Sequence, residues 1–363
     1  MVNLRRALLI LAVLLFAVNP FTTRAEEAHG HGDAPKTEAE KVNEHIQHHL
    51  QDDHYFTLFK KGEEYVGFPL PVILIDNGLK VFSSGKFHEG NGVAEVDGQY
   101  YVNYHGKIYK TDANGSLTFD EHHHPTNAKP WDFSITKNVV GLMVATLLLF
   151  WGFTSLAKTY KKGSNNLPKG VGRVLEPLVL YVRDEMAIPN IGHRYKEFMP
   201  YLLSVFFLIF TLNLLGMTPI GFNVTGNISV TLCLALFTFI ITNIKANKDY
   251  WKHIFWMPGV PVPFKFVLAP IEVLGMFTKP FSLMLRLFAN ITAGHSVVMG
   301  LIAIVYLFQR ELTIPGSIGV SMLLTLVLFF LELLVAFLQA FIFTMLSSLF
   351  IGMAVEEHSH DHH

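Results

Sequence analysis

Long apolar runs closed by lysine clusters, or by proline and glycine, dominate the last two thirds of the chain, whereas the first third alternates polar stretches with short β-prone runs. The run Val139 to Leu156 carries no charge and is followed by Lys158, Lys161 and Lys162. Eighteen residues at about 1.5 Å each span about 27 Å, one hydrocarbon core, so this run predicts a first membrane helix. Its lysine-rich end belongs in the cytoplasm. Residues 163 to 197 mix charges with Pro168, Pro177 and Pro189, a texture that predicts a segment on the cytoplasmic surface. Phe198 to Leu215 and Ile228 to Ile244 follow, the second closed by Lys245, Lys248 and Lys252, and read as a hairpin whose turn near Pro219 and Gly221 faces outside. Two longer helices are predicted over Pro263 to Phe308 and Ser317 to Met353, with a turn at Glu311 to Gly316. Each exceeds one bilayer crossing, so tilt or a break is expected, Pro270 and Pro280 being the break points.

The N-terminal third has a different organisation. Arg5 and Arg6, an apolar run from Ala7 to Val18 and the small residues Thr23 and Ala25 predict a signal peptide over 1–25, the run being too short to span. Residues 26 to about 54 are polar and without apolar period. From Tyr65 to Phe119 come β-prone runs such as Val72 to Ile75 and Val93 to Val96, punctuated by Asn77-Gly78, Asp97-Gly98 and Asn114-Gly115, pairs suited to type I′ hairpin turns. The fold class expected is a polytopic α-helical membrane protein. It has about five membrane helices, including a long tilted C-terminal hairpin, and a small β-rich extracytoplasmic domain. The divisions are 1–25, 26–130, 131–357 and a His-rich cytoplasmic tail over 358–363.

Composition agrees: 51% hydrophobic residues and 16% charged ones exclude an ordinary soluble enzyme. A net charge of -1 gives no basic excess for nucleic acid. With Cys233 as the single cysteine, neither a disulfide framework nor a thiolate metal site can be built.

Ionisable residues inside apolar helices are expensive, by about 2.5 to 3.5 kcal/mol at a bilayer centre, and their default reading is an ion pathway. Glu272, Arg286, His295 and Glu332 are of this kind, joined by the amides of Asn290 and Gln339. Arg286 and Asn290 share a helical face, as do Glu332 and Gln339. In an antiparallel hairpin, residues at one height have a constant index sum; Arg286 with Gln339 gives 625 and His295 with Glu332 gives 627, a midpoint near Thr313. Two levels about 13 Å apart result. The competing readings are a static ion pair of Arg286 with Glu272, and His295 with Glu332 as plain interhelical hydrogen bonding.

The string from Lys279 through Arg286 to Asn290, with Ala293-Gly294-His295, resembles the signature of F-type ATP synthase subunit a, supported by Asn213 to Pro219 and Leu338 to Phe343. The resemblance covers about residues 134 to 357. It implies a non-catalytic, proton-translocating stator subunit that forms two aqueous half-channels against the c-ring, with b-type peripheral stalk subunits, the lipid bilayer and the rest of the complex as partners and no cofactor. Arg286 then faces the rotor carboxylates at the boundary between the half-channels; an ever-charged guanidinium suits that barrier. His295 and Glu332 correspond to polar positions of the outer half-channel, with acid and imidazole exchanged relative to many bacterial relatives. Glu272, Ser282 and Asn213 match further polar positions, Glu272 on the opposite side. A bacterial inner membrane, with the N-terminus outside, is the location implied.

His122 to His124 and the tail His358, His360, His362 and His363 suggest a rival class, a divalent-metal transporter, but only one His/Glu pair is available within the spans, and a solvated tail is the simpler account. An ion-coupled secondary transporter is the other rival, and no internal repeat supports it.

Overall fold

The computed structural model describes residues 52–61, 64–87, 92–121, 124–161, 170–218, 222, 224–257, 259–308 and 314–356, the side chains of 57–66 and 290–322 excepted. The expected signal peptide, the polar stretch to residue 51, His122, His123, the turn at Pro219 to Gly221, Thr313 and the His-rich tail lie outside these residues.

The N-terminal domain is built from antiparallel strands. β1 (Tyr55–Lys61) pairs with β2 (Glu64–Pro69). β3 (Pro71–Ile75) lies between β4 (Leu79–Ser83) and the short β8 (Trp131–Asp132). β5 (Val93–Val96), β6 (Gln99–Tyr104) and β7 (Lys107–Thr111) form a third sheet. Period-two alternation sends Val72, Leu74 and Phe82 inward against Ala94, Tyr101 and Ile108, and leaves Ile75, Leu79, Val81 and Trp131 outside. Asp76 ties the sheets together, accepting from Lys110 Nζ at 2.6 Å and from the Tyr101 hydroxyl at 2.8 Å. The Lys110 ammonium beside it holds its carboxyl below the usual range.

Two of the expected hairpin turns are present. Asp97 and Gly98 connect β5 to β6 with φ of 52° and 74°, the doubly positive pattern of a type I′ turn, and Asn77-Gly78 sits between β3 and β4. Asn114-Gly115 joins no hairpin; it follows β7 in a loop in which the Asp112 carboxylate accepts from the backbone N–H groups of Asn114 and Ser116. His105-Gly106 supplies the β6–β7 turn instead, and the sequence reading passed over it.

The helical part starts at α1 (Lys137–Lys161). The 163–197 stretch is helical from residue 171 onward: α2 (Val171–Tyr181) contains Pro177 and leads into a π turn over Val182–Ala187 and a single turn at Ile188–Ile191. Val182, Met186 and Ala187 are fully buried, so this stretch packs into the bundle. α3 (Tyr195–Gly216) and α4 (Ile228–Lys245) form the predicted hairpin, and the short amphipathic α5 (Lys248–Phe255) precedes α6 (Val262–Phe308) and α7 (Ile314–Val355). Pro270 and Pro280 do not break α6. Each removes one N–H rung, and the ladder on either side of it carries the helix through. The connection between α6 and α7 falls between Phe308 and Ile314, where the index sums placed it.

One core joins the two parts. Phe56 and Leu70 of the β-rich domain belong to the same buried cluster as Leu142, Phe206, Phe222, Val224 and Leu283 of the helices. The hairpin α6–α7 joins that core on one side only: buried residues make up 6% of the most apolar stretch of Val262–Ala289 and 22% of that of Leu323–Val355, against 67% for Val171–Gly216.

Candidate functional site

Arg286 sits on the uncovered side of α6. Leu283, Met284 and Leu287 turn inward and are buried, while Ser282, Leu285, Arg286 and Ala289 point away from the bundle. No hydrogen bond or ion pair among the described residues reaches the guanidinium, which shares its exposed side of the helix with Ser282 and Ala289. The static pair with Glu272 is excluded, because fourteen residues of one helix put the two about 21 Å apart. Asn290 and His295 continue α6, and their side chains lie outside the described residues.

On α7, Gln339 is buried at 2% exposure while Glu332, two turns earlier, is half-buried. Between them lies a cross-link to α3. Asn213 donates from Nδ2 to the Ala336 carbonyl at 3.3 Å, and its Oδ1 accepts from the Thr225 hydroxyl at 3.0 Å. Asn213 was a candidate from the sequence; Thr225, on a 3-10 turn over Val224–Gly226, was not. Its signal was slight, a threonine in the polar punctuation before α4, whose N-cap Asn227 accepts from the Ser229 N–H at 2.9 Å.

A cleft lies toward the other end of α4. Its walls are mainly apolar, Phe239, Leu283 and Phe350 among them, with Thr242, Asn243, Tyr250 and Lys279 as polar groups. Burial and the charge of Glu272 both push the Tyr250 phenol up. The structure therefore brings Asn213 together with α7, sets Glu272 two turns before Lys279 on α6, and leaves Arg286 and Ser282 open on the flank.

A third polar cluster seals the joint between the domains. Asp52 accepts from the Asn138 N–H and from the Thr136 hydroxyl, both at 3.1 Å, so a residue of the β-rich domain caps the start of α1. His54, 1% exposed, meets Asp132 at 3.0 Å from Nε2. Burial opposes its charged form, but the hydrogen bond to Asp132 and that residue's charge outweigh this and raise the imidazole. Asp132 is also desolvated, and His54 nevertheless holds it below the usual carboxylate range.

Among the described residues, five helical stretches long and apolar enough to cross a membrane, with buried polar groups at separate levels, define a polytopic membrane protein. The chain belongs to the ATP synthase A chain family, which matches residues 139–352. It is 45% identical over 240 residues to ATP synthase subunit a 2 of Chlorobaculum tepidum, covering 64% of this chain and 67% of that relative. The corresponding protein of Chloroherpeton thalassium is 42% identical over 234 residues, 63% and 69% of the two chains, and that of Myxococcus xanthus 43% identical over 250, 64% and 78%. Residues 45–133 match a separate domain of unknown function, DUF8433. Membership of this family displaces both transporter readings.

Proposed function

We propose that this chain passes protons through two half-channels and couples their flow to rotation of a c-ring, with Arg286 as the charge that meets each rotor carboxylate. The observation that carries this is the exposed Arg286 on a membrane-spanning stretch of α6, with no hydrogen bond or ion pair among the described residues. A charge kept at such cost calls for a partner outside the chain, and a carboxylate on a neighbouring ring supplies one. Arginine keeps its proton under any accessible condition, so it attracts the deprotonated rotor acid and blocks direct proton passage between the two sides.

Polar groups toward the opposite ends of α4, Asn213 with Thr225 at one and Thr242, Asn243 and Lys279 at the other, support separate access routes. Asn213, Glu332 and Gln339, with His295 and Asn290 on α6, serve the outer one, and Glu272 the inner one; Ser282 lies one turn from Arg286 on the rotor-facing flank. The chain itself performs no nucleotide chemistry. It works with the c-ring, b-type stalk subunits and the remaining complex in a bacterial inner membrane. The 1–25 signal peptide directs residues 26–130 outside, the membrane domain covers 131–357, and the 358–363 tail is cytoplasmic.

The test is Arg286→Ala in the assembled complex, with ATP-driven pumping and passive leak measured in inverted vesicles. Pumping is expected to fall to background with assembly intact, and leak to rise. Unchanged pumping would remove Arg286 from the mechanism.

A further inference from the structure

The hydrogen-bonded chain from Thr225 to α7 points to a role for a residue outside the membrane helices and for the domain above it. Ala336, whose carbonyl accepts only, fixes the Asn213 amide with its nitrogen toward α7. Asn213 Oδ1 is thereby turned toward Thr225, whose hydroxyl satisfies it. Thr225, Asn213, Ala336 and Gln339 are 3%, 7%, 4% and 2% exposed, so water cannot replace a missing partner cheaply. Ala336 is one turn beyond Glu332 and three residues before Gln339, so the anchored carbonyl belongs to the segment that carries both.

The turn bearing Thr225 is itself gripped. Phe222 meets the ring of Phe56 in β1, the centroids 5.5 Å apart. From the other side α1 comes close at Gly141, where a Cβ would stand 2.7 Å from Phe222 and 2.8 Å from Val224. Phe56 is covered in turn by Phe68, stacked at 4.7 Å.

We infer that Thr225 is a positioning residue for the outer half-channel, holding Asn213 and through it the Glu332–Gln339 stretch of α7, and that the β-rich domain braces the turn that carries Thr225. This rests on the channel reading of α6 and α7. A buried amide left without its donor rotates or admits water, and α7 then loses a fixed height relative to α3.

The experiment compares Thr225→Ala and Thr225→Ser in the intact complex, both smaller than threonine and only the second retaining the hydroxyl. ATP synthesis after an acid-base jump is followed in inverted vesicles over a series of lumenal pH values, with Arg286→Ala in parallel. Thr225→Ser is expected to stay within about twofold of the parent, and Thr225→Ala to lose about fivefold, with its half-maximal lumenal pH displaced by about half a unit. Phe56→Ala should displace that midpoint in the same direction. Thr225→Ala and Thr225→Ser that match each other and the parent midpoint, while Arg286→Ala is inactive, would overturn the positioning role, and an unmoved midpoint in Phe56→Ala would overturn the brace. Activity in Arg286→Ala would instead strike at the channel reading beneath it.

Discussion

At the scale of single residues, the joint between the domains carries a pH dependence with a definite sign. His54 is raised in the folded chain, so its contribution to stability is complete below its unfolded value of about 6.5 and is lost as pH rises through the folded one. Asp132 is depressed, so its contribution is present above about 3.9 and lost as pH falls through its folded value. The pair is therefore strongest at mildly acidic pH. Limited proteolysis of the complex at pH 6 and pH 8.5 should cut the 52–132 region faster at the higher pH, and His54→Gln should flatten that difference; equal protection of the parent at both values would refute the sign. Arg286 could be read from the sequence because a charge in an apolar run is costly wherever the fold puts it. Thr225 could not, because a threonine beside glycine and asparagine has the composition of any turn, and its partner Asn213 lies across a helix end.

At the scale of elements, the apolar runs gave each span to within a few residues, since length and lysine flanks are set by the bilayer more than by tertiary packing. The errors lie where local chemistry was overridden. Pro177 argued for a surface segment between spans, yet α2 runs through it and is followed by a π turn whose wider winding lets Val182, Met186 and Ala187 reach the core. Two replacements test how these elements are fixed. Asn227→Ala removes the α4 N-cap and should lower stability by about 1 kcal/mol, read as a modest fall in the midpoint of thermal inactivation. Gly352→Ala should do far more, because its Cβ would lie 2.0 Å from the Asn190 carbonyl oxygen. Separating α7 from the Ile188–Ile191 turn should cost about 2 to 4 kcal/mol and reduce the assembled complex recovered from membranes. Normal yield and thermal midpoint for Gly352→Ala would mean that the two backbones are not in close contact.

At the scale of the whole molecule, the sequence divided the chain correctly into a β-rich part and a helical part but contained no sign that they share a core. Phe56 precedes the β-prone runs that begin at Tyr65, and nothing in its local sequence marks it. Its neighbour Phe222 is 166 positions away, a distance at which composition and periodicity are silent. Phe56→Ala should therefore weaken both parts at once, by about 3 kcal/mol, with the β-rich domain and the outer turn losing protease protection together.

That same ring contact has a consequence in time. Translation at about 5 to 20 residues per second delivers Phe222 roughly ten to thirty seconds after Phe56. The β-rich domain must wait through that interval with its docking face bare, while α1, α2 and α3 are made. Docking is thus postponed until the α3–α4 turn exists, and an unfinished or misinserted chain presents an unoccupied Phe56 to whatever quality-control protease patrols that side of the membrane.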